Sequence, residues 1–83
     1  MTAPERSEEY GSLQRLMDTL FARSNMVTRL EAIILAESND LHSDLQELVA
    51  LLPPGHHTRQ QMADQLNSAI AGHGWGMKYG TVE

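Results

Sequence analysis

The sequence contains no cysteine, which excludes disulfide bonds and thiolate metal sites. It has six lysines and arginines against eleven acidic residues, a net charge of −5, which argues against a protein that coats nucleic acid. No apolar run approaches the roughly 18 residues needed to cross a bilayer, and the N-terminal residues lack the apolar segment of a signal peptide. We therefore expect a cytoplasmic protein with no membrane association.

Recognisable catalytic and metal-binding patterns are also missing. The four histidines do not have the spacing of a zinc site, since none of them forms an i, i+4 pair. The serines lie in no nucleophile elbow, and no glycine-rich loop leads into a helix with a phosphate-binding signature. We therefore predict that the chain is not an enzyme and binds no cofactor or metal.

The chain is short and its charge is unevenly distributed. Its 83 residues suffice for one small domain, 1–83, and a hydrophobic fraction of 41% allows one modest core. Residues 1–52 carry nine acidic residues and four arginines, whereas 53–83 are neutral. Pro53, Pro54 and Gly55 separate the two parts and predict a turn at 53–57.

An apolar residue recurs every seven positions through the acidic part. This spacing is typical of helices that pack against other helices, and it predicts an all-α fold, a small helical bundle. A chain this short cannot bury such a stripe alone, so we expect a homo-oligomer, with a dimer favoured and a coiled-coil-like contact. The predicted interface comprises Leu13, Leu16, Leu20, Val27, Leu30, Ile34, Leu41 and Leu48.

Local signals divide the helical pattern into three helices. We predict a long first helix over about 4–36, a turn at 37–40 and a second helix over about 41–52. Thr58 and Gln61 form the pattern of a capping box, which predicts a third helix over 58–71. The segment 72–83 is rich in glycine and is expected to be non-helical, and flexible unless its aromatic residues dock.

The continuity of the first helix is left open by two features. Ser24 and Asn25 favour turns and could interrupt it, and Thr28 with Glu31 forms a second capping-box pattern that could restart it. The interruption at Ser38–Asp40 is the stronger of the two.

Two segments are candidate partner-binding sites. On a continuous helix Glu37, Asp40, Asp44 and Glu47 share one face without an internal cation, and such a face would suit a basic partner. A break at 38–40 would divide this face. Trp75 and Tyr79 could anchor the C-terminal segment on a partner, or they could fold back onto the core.

Two classes of function remain. The first is a small non-catalytic regulatory or adaptor protein that binds another protein and masks or bridges it. The alternative is a dimeric helix-turn-helix-like DNA-binding regulator that uses Arg59, Gln60 and Lys78. The acidic first part and the lack of a basic recognition helix after residue 71 favour the first class, so nucleic acid is the less expected partner.

Overall fold

A computed structural model describes residues 6–83, and the predicted start of the first helix at about residue 4 lies outside this range. Most of these residues are helical. The elements, in chain order, are α1 (Ser12–Leu20), β1 (Met26–Thr28), α2 (Arg29–Ser38), α3 (Ser43–Ala50), β2 (His56–Thr58), α4 (Arg59–His73) and α5 (Gly76–Tyr79).

The two short strands correct the all-α prediction. They form an antiparallel two-stranded sheet in the register Met26↔Thr58, Val27↔His57 and Thr28↔His56. The central pair is buried, with Val27 1% and His57 7% exposed. His57 Nε2 lies 2.7 Å from the carbonyl oxygen of Pro53, so its polar edge is satisfied inside the protein.

Both strands lead into a helix through the same capping arrangement. The hydroxyl of Thr28 accepts a hydrogen bond from the backbone N–H of Glu31, whose carboxylate accepts one from the N–H of Thr28. Thr58 and Gln61 repeat this exchange at the start of α4. Both capping-box predictions are confirmed. The molecule is therefore built from two units, each consisting of a helix, a loop, a short strand and a second helix.

The long first helix predicted over 4–36 is wrong. Helix α1 ends at Leu20, residues 22–25 are exposed, and the hydroxyl of Ser24 donates a 2.6 Å hydrogen bond to the carbonyl oxygen of Met26. The serine side chain thus hydrogen-bonds to a nearby backbone carbonyl, an interaction that competes with the hydrogen bonds of a helix. Val27 keeps the seven-residue spacing although it belongs to a strand, which explains why the apolar pattern continued through the break.

The predicted interruption before the second helix is present, about two residues later than expected. Helix α2 ends at Ser38, and Asp40 has a positive φ of 51° in the turn that follows. Helix α3 starts at Ser43, where the Nδ1 atom of His42 accepts a 3.1 Å hydrogen bond from the N–H of Asp44. The second helix therefore spans Ser43–Ala50 rather than 41–52.

One hydrophobic core joins the two units. It contains large side chains from α1, α3 and α4, the sheet residue Val27 and two residues from the C-terminal segment. The buried apolar residues are Leu13, Leu16, Met17, Val27, Ala32, Ala36, Leu45, Leu48, Val49, Leu52, Met62, Ala63, Leu66, Ile70, Tyr79 and Val82.

No helix within residues 6–83 is long and apolar enough to cross a membrane.

The C-terminal segment is docked, which is the alternative that the sequence left open, and the prediction of a non-helical segment over 72–83 is wrong. Helix α4 continues to His73, the short helix α5 follows, and Tyr79 and Val82 are 2% and 5% exposed. The side-chain amide of Asn67 donates to the carbonyl oxygen of Val82 and accepts from its N–H, both at 2.8 Å. Tyr79 and Val82 thus belong to the same hydrophobic core as Met62, Leu66 and Ile70 of α4.

The segment before α1 lies beside this C-terminal segment. The N–H of Ser7 donates to the carbonyl oxygen of Lys78 at 3.0 Å, and the N–H of Gly11 donates to that of Tyr79 at 3.2 Å. Gly80 has a φ of 83°, and a Cβ atom there would lie 3.1 Å from the Cζ atom of Tyr10. This close approach requires glycine.

Candidate partner-binding surface

Helix α2 has its small residues inside and its large ones outside. Its two buried residues are alanines, Ala32 and Ala36, whereas Leu30 is 64% and Ile34 53% exposed. Leu30 and Ile34 lie one turn apart, so they form a continuous apolar stripe on the surface. We call these two residues, with the half-buried Ile33 and Leu35 on either side of Ile34, the α2 ridge.

Two surface grooves run along the ridge. The groove between α1 and α2 has a volume of about 380 Å³. It is lined by Thr19, Leu20, Glu31, Ile34, Leu35 and Ser38. The groove between α2 and α3 has a volume of about 350 Å³. It is lined by Ile33, Ala36, Glu37, Ser43, Gln46, Glu47 and Ala50. The ridge therefore projects between two concave surfaces, each with a partly apolar lining.

The predicted oligomer interface does not exist as one stripe. Leu13, Leu16, Val27 and Leu48 lie in the chain's own core, which leaves them unavailable to a second chain. Leu20 and Leu41 pack half-buried against that core, and Leu30 and Ile34 point outward. The loop at 22–25 and the strand that follows reorient the chain, so residues seven apart no longer share a face.

The four predicted acidic residues are divided among three places. Glu37 and Glu47 line the α2–α3 groove together. Asp40 lies in the turn after α2 and lines a different depression with Glu9 and Arg15. The single acidic face, which required a continuous helix over 37–47, is therefore absent, because the turn between α2 and α3 divides it as a break at 38–40 would.

Asp44 takes part in a cluster that fixes the C-terminal segment. The hydroxyl of Tyr79 donates a 2.5 Å hydrogen bond to its carboxylate, and Lys78 Nζ lies 3.6 Å from the same oxygen. The hydrogen bond from Tyr79 holds the pKa of Asp44 below its usual range, and the charge of Lys78 acts in the same direction. Burial, followed by the contact with Asp44, raises the pKa of Tyr79.

The two aromatic candidates fold back onto the protein. Tyr79 is buried, so it is not available as a surface anchor. Trp75 is half-buried; its ring meets the Tyr79 ring edge-on at 5.5 Å and stacks on His73 at 4.2 Å. These contacts give the aromatic residues a role in packing the C-terminal segment.

The candidate DNA-binding residues do not form a basic surface. The guanidinium of Arg59 pairs with the carboxylate of Asp18 and donates to the carbonyl oxygen of Glu83. This contact with Arg59, aided by Gln14, lowers the pKa of Asp18. Gln60 donates to Asp64 at 2.8 Å, and Lys78 is paired with Asp44. Both cations are thus neutralised within the chain, which leaves little positive charge for phosphates.

The order helix, loop, helix in each unit is also that of calcium-binding EF-hands, whose 12-residue loops carry oxygen ligands at positions 1, 3, 5 and 12. If Glu31 is taken as position 12, positions 1, 3 and 5 are Leu20, Ala22 and Ser24. In the second unit Gln61 takes position 12, and the first three ligand positions are Ala50, Leu52 and Pro54. These side chains do not suit a hard cation. No cluster of three or more histidines, aspartates or glutamates within 6–83 could hold a metal ion.

Sequence reasoning did not single out Ile33, Leu35 or the two grooves. Helix α2 has aliphatic residues all round, so its sequence does not indicate which face points inward. Comparison with protein-family models, with curated proteins and with solved structures found no match to this chain.

Proposed function

We propose that this protein is a small, non-catalytic regulatory or adaptor protein that binds another protein through the α2 ridge and so masks or bridges it. The observation that carries the proposal is the inverted helix α2, which buries alanines and exposes Leu30 and Ile34. Contiguous exposed apolar side chains of this kind mark interaction sites on small proteins.

The ridge offers a useful amount of binding energy. Fully burying a leucine or isoleucine side chain stabilises a complex by about 1.5–3 kcal/mol. Leu30 and Ile34 are both more than half exposed, so each still has more than half of that contribution to make in a complex. The grooves on both sides add surface that a partner's side chains can fill.

Self-association would use the same surface. Of the predicted dimer contacts, Leu30 and Ile34 are exposed and Leu20 lines the groove beside them. A dimer formed through all eight residues of the predicted interface would require the core to open, because four of them are buried in it. A homodimer that uses the predicted contacts would therefore form through Leu30 and Ile34, and light scattering distinguishes it from binding to another protein.

The test compares Ile34→Glu with Met77→Glu. Both residues are exposed, at 53% and 65%, and both changes add one negative charge, but Met77 lies on α5 away from the ridge. Tagged wild-type protein and each variant are incubated with lysate of the source cells, and co-purifying proteins are quantified beside light scattering of the purified chains.

We expect a specific partner to be recovered with the wild type and with Met77→Glu, and to fall at least about tenfold with Ile34→Glu. A photo-crosslinker at position 34 should attach to that same partner. The proposal is wrong if all three proteins are monomers and recover the same set of proteins in the same amounts.

A further inference from the structure

The α2–α3 groove has an apolar floor and acidic edges. Ile33, Ala36 and Ala50 provide the floor, and Glu37 from α2 and Glu47 from α3 stand beside it. Both glutamates are exposed, and neither forms an ion pair with another residue of 6–83. A long basic side chain fits such a groove, because its aliphatic stem can lie on the floor while its charged end reaches the carboxylates.

A third carboxylate lies on the other side of the ridge. Glu31 lines the α1–α2 groove together with Ile34. The apolar stripe of Leu30 and Ile34 is therefore bordered by acidic residues in both grooves. This combination matches a helix with one apolar face and basic residues along the edges of that face.

One cation, Arg29, lies at an end of this surface and is bound to the backbone. Arg29, at the start of α2, donates two hydrogen bonds from its guanidinium to the carbonyl oxygen of Ala50, at 3.2 and 2.9 Å. It thus lies at the end of the α2–α3 groove formed by Ala50, while Glu37 and Ser43 form the other end. Arg29 keeps its positive charge at that end, but Glu37 and Glu47 together outweigh it, so an incoming helix meets a net negative charge at the groove.

The same charges disfavour a second copy of the chain as the occupant. A twofold dimer brings the same patch of both copies together, so two sets of Glu31, Glu37 and Glu47 would be gathered in one interface. The chain also has a net charge of −5, which opposes its approach to a copy of itself. A basic partner is instead attracted both by these carboxylates and by the net negative charge of the chain.

We propose that the occupant of the α2 ridge is a basic amphipathic helix of another protein. Its apolar residues cover Leu30 and Ile34, and its lysine or arginine side chains lie against Glu37 and Glu47. This inference rests on the proposed function, since it assigns a chemistry to the partner of the same surface.

The experiment uses two labelled synthetic peptides and the full chain. Both peptides have leucines at positions i, i+3, i+4 and i+7 of a helix; one carries lysines beside them, and the other carries glutamates at the same places. Binding is followed by fluorescence anisotropy at low and at high salt. The variants are Ile34→Glu, Glu37→Lys and, as the matched charge control, Asp64→Lys on the polar face of α4. Leu30→Glu serves as a second ridge variant, and circular dichroism confirms that each variant is folded.

We expect the lysine peptide to bind, more weakly at high salt, and the glutamate peptide not to bind. Glu37→Lys should weaken binding about three- to tenfold and Asp64→Lys much less, because reversing a bordering charge replaces an attraction by a repulsion. Ile34→Glu and Leu30→Glu should weaken it further by placing a charge on the apolar stripe.

Two results would overturn this inference and leave the proposed function standing. One is a ridge that binds both peptides equally, and the other is a dimer of the pure chain that Ile34→Glu dissociates. Failure of the lysine peptide to bind up to about 1 mM also overturns the basic-helix assignment. If, in addition, neither dimerisation nor the recovery of any partner depends on Ile34, the proposed function fails as well.

Discussion

Helices α2 and α4 begin alike and differ in what they bury. Each follows a strand of the same sheet, each starts with a threonine capping box, and each has arginine as its first residue. Helix α4 buries large residues, Met62, Leu66 and Ile70, and points its glutamines outward. Helix α2 buries two alanines, keeps Ile33 and Leu35 half-buried against the core, and exposes Leu30 and Ile34.

This difference separates stability from recognition. The large side chains of α4 contribute to the free energy of folding, because folding itself removes them from water. Leu30 and Ile34 of α2 remain more than half exposed in the isolated chain, so the rest of their burial energy is still available for binding. Two helices with the same kind of start therefore differ in role. Truncating a large residue of α4 should mainly lower the free energy of unfolding, whereas truncating an exposed residue of α2 should mainly weaken binding.

The largest effect is expected from Leu66→Ala in α4. Leu66 is 1% exposed, and truncating a buried leucine costs about 2–5 kcal/mol through lost burial and the cavity left behind. For a domain of this size that loss lowers the Tm by more than about 10 °C. Urea denaturation followed by circular dichroism measures it. A loss below about 1 kcal/mol would mean that α4 does not hold the core.

A smaller and equal effect is expected at the two capping residues. Replacing an N-cap threonine by alanine costs about 1 kcal/mol, because one backbone N–H loses its acceptor. Thr28→Ala and Thr58→Ala should therefore lower the free energy of unfolding by similar amounts, as measured by the same denaturation. A clearly larger loss at one of them would show that the two helix starts, which look alike, contribute unequally.

Lowering the pH should weaken the packing of the segment that follows α4 and should not affect the packing of α2. The Tyr79 hydroxyl lowers the pKa of Asp44 in the folded chain, so this contact stabilises the fold above the unfolded pKa of about 3.9 and is lost as the pH falls through the lower, folded value. Asp44→Asn should lower the Tm at pH 7, and this difference should shrink below about pH 4. A difference that stays constant with pH would contradict the assignment.

The smallest effect is expected from Leu30→Ala in α2. Leu30 is 64% exposed, so its truncation should change the free energy of unfolding by less than about 0.5 kcal/mol. Together with Leu66→Ala, this variant tests directly whether a large residue of α4 stabilises the fold and an exposed large residue of α2 does not. A loss comparable to that of Leu66→Ala would place Leu30 in the core and remove the basis for the ridge.

Local signals in the sequence predicted local structure well. Both capping boxes are present, because the threonine and its partner three residues later interact without help from the rest of the fold. The turn after α2 was also predictable from Ser38, Asn39 and Asp40, which favour helix ends.

Long-range features could not be predicted in the same way. The seven-residue spacing continues through Val27, since an apolar residue fits a strand as well as a helix. The pairing of β1 with β2 joins residues about thirty apart; its one sequence trace is the recurrence of Thr-Arg at 28–29 and 58–59. The docking of Val82 depends on the amide of Asn67, a contact with no local pattern. The ridge could not be predicted because the sequence of α2 does not indicate which of its faces is buried.

The contact between the segment before α1 and the segment after α4 has a topological consequence. Ser7 and Gly11 are hydrogen-bonded to Lys78 and Tyr79, so the described part of the chain nearly closes into a ring. A ring can be opened anywhere that the packing tolerates it, and the exposed loop at 22–25 is such a place. A chain cut in this loop is expected to stay in one piece through the contacts of Ser7 and Gly11 with Lys78 and Tyr79, and helix α2 would then follow directly on a new chain end.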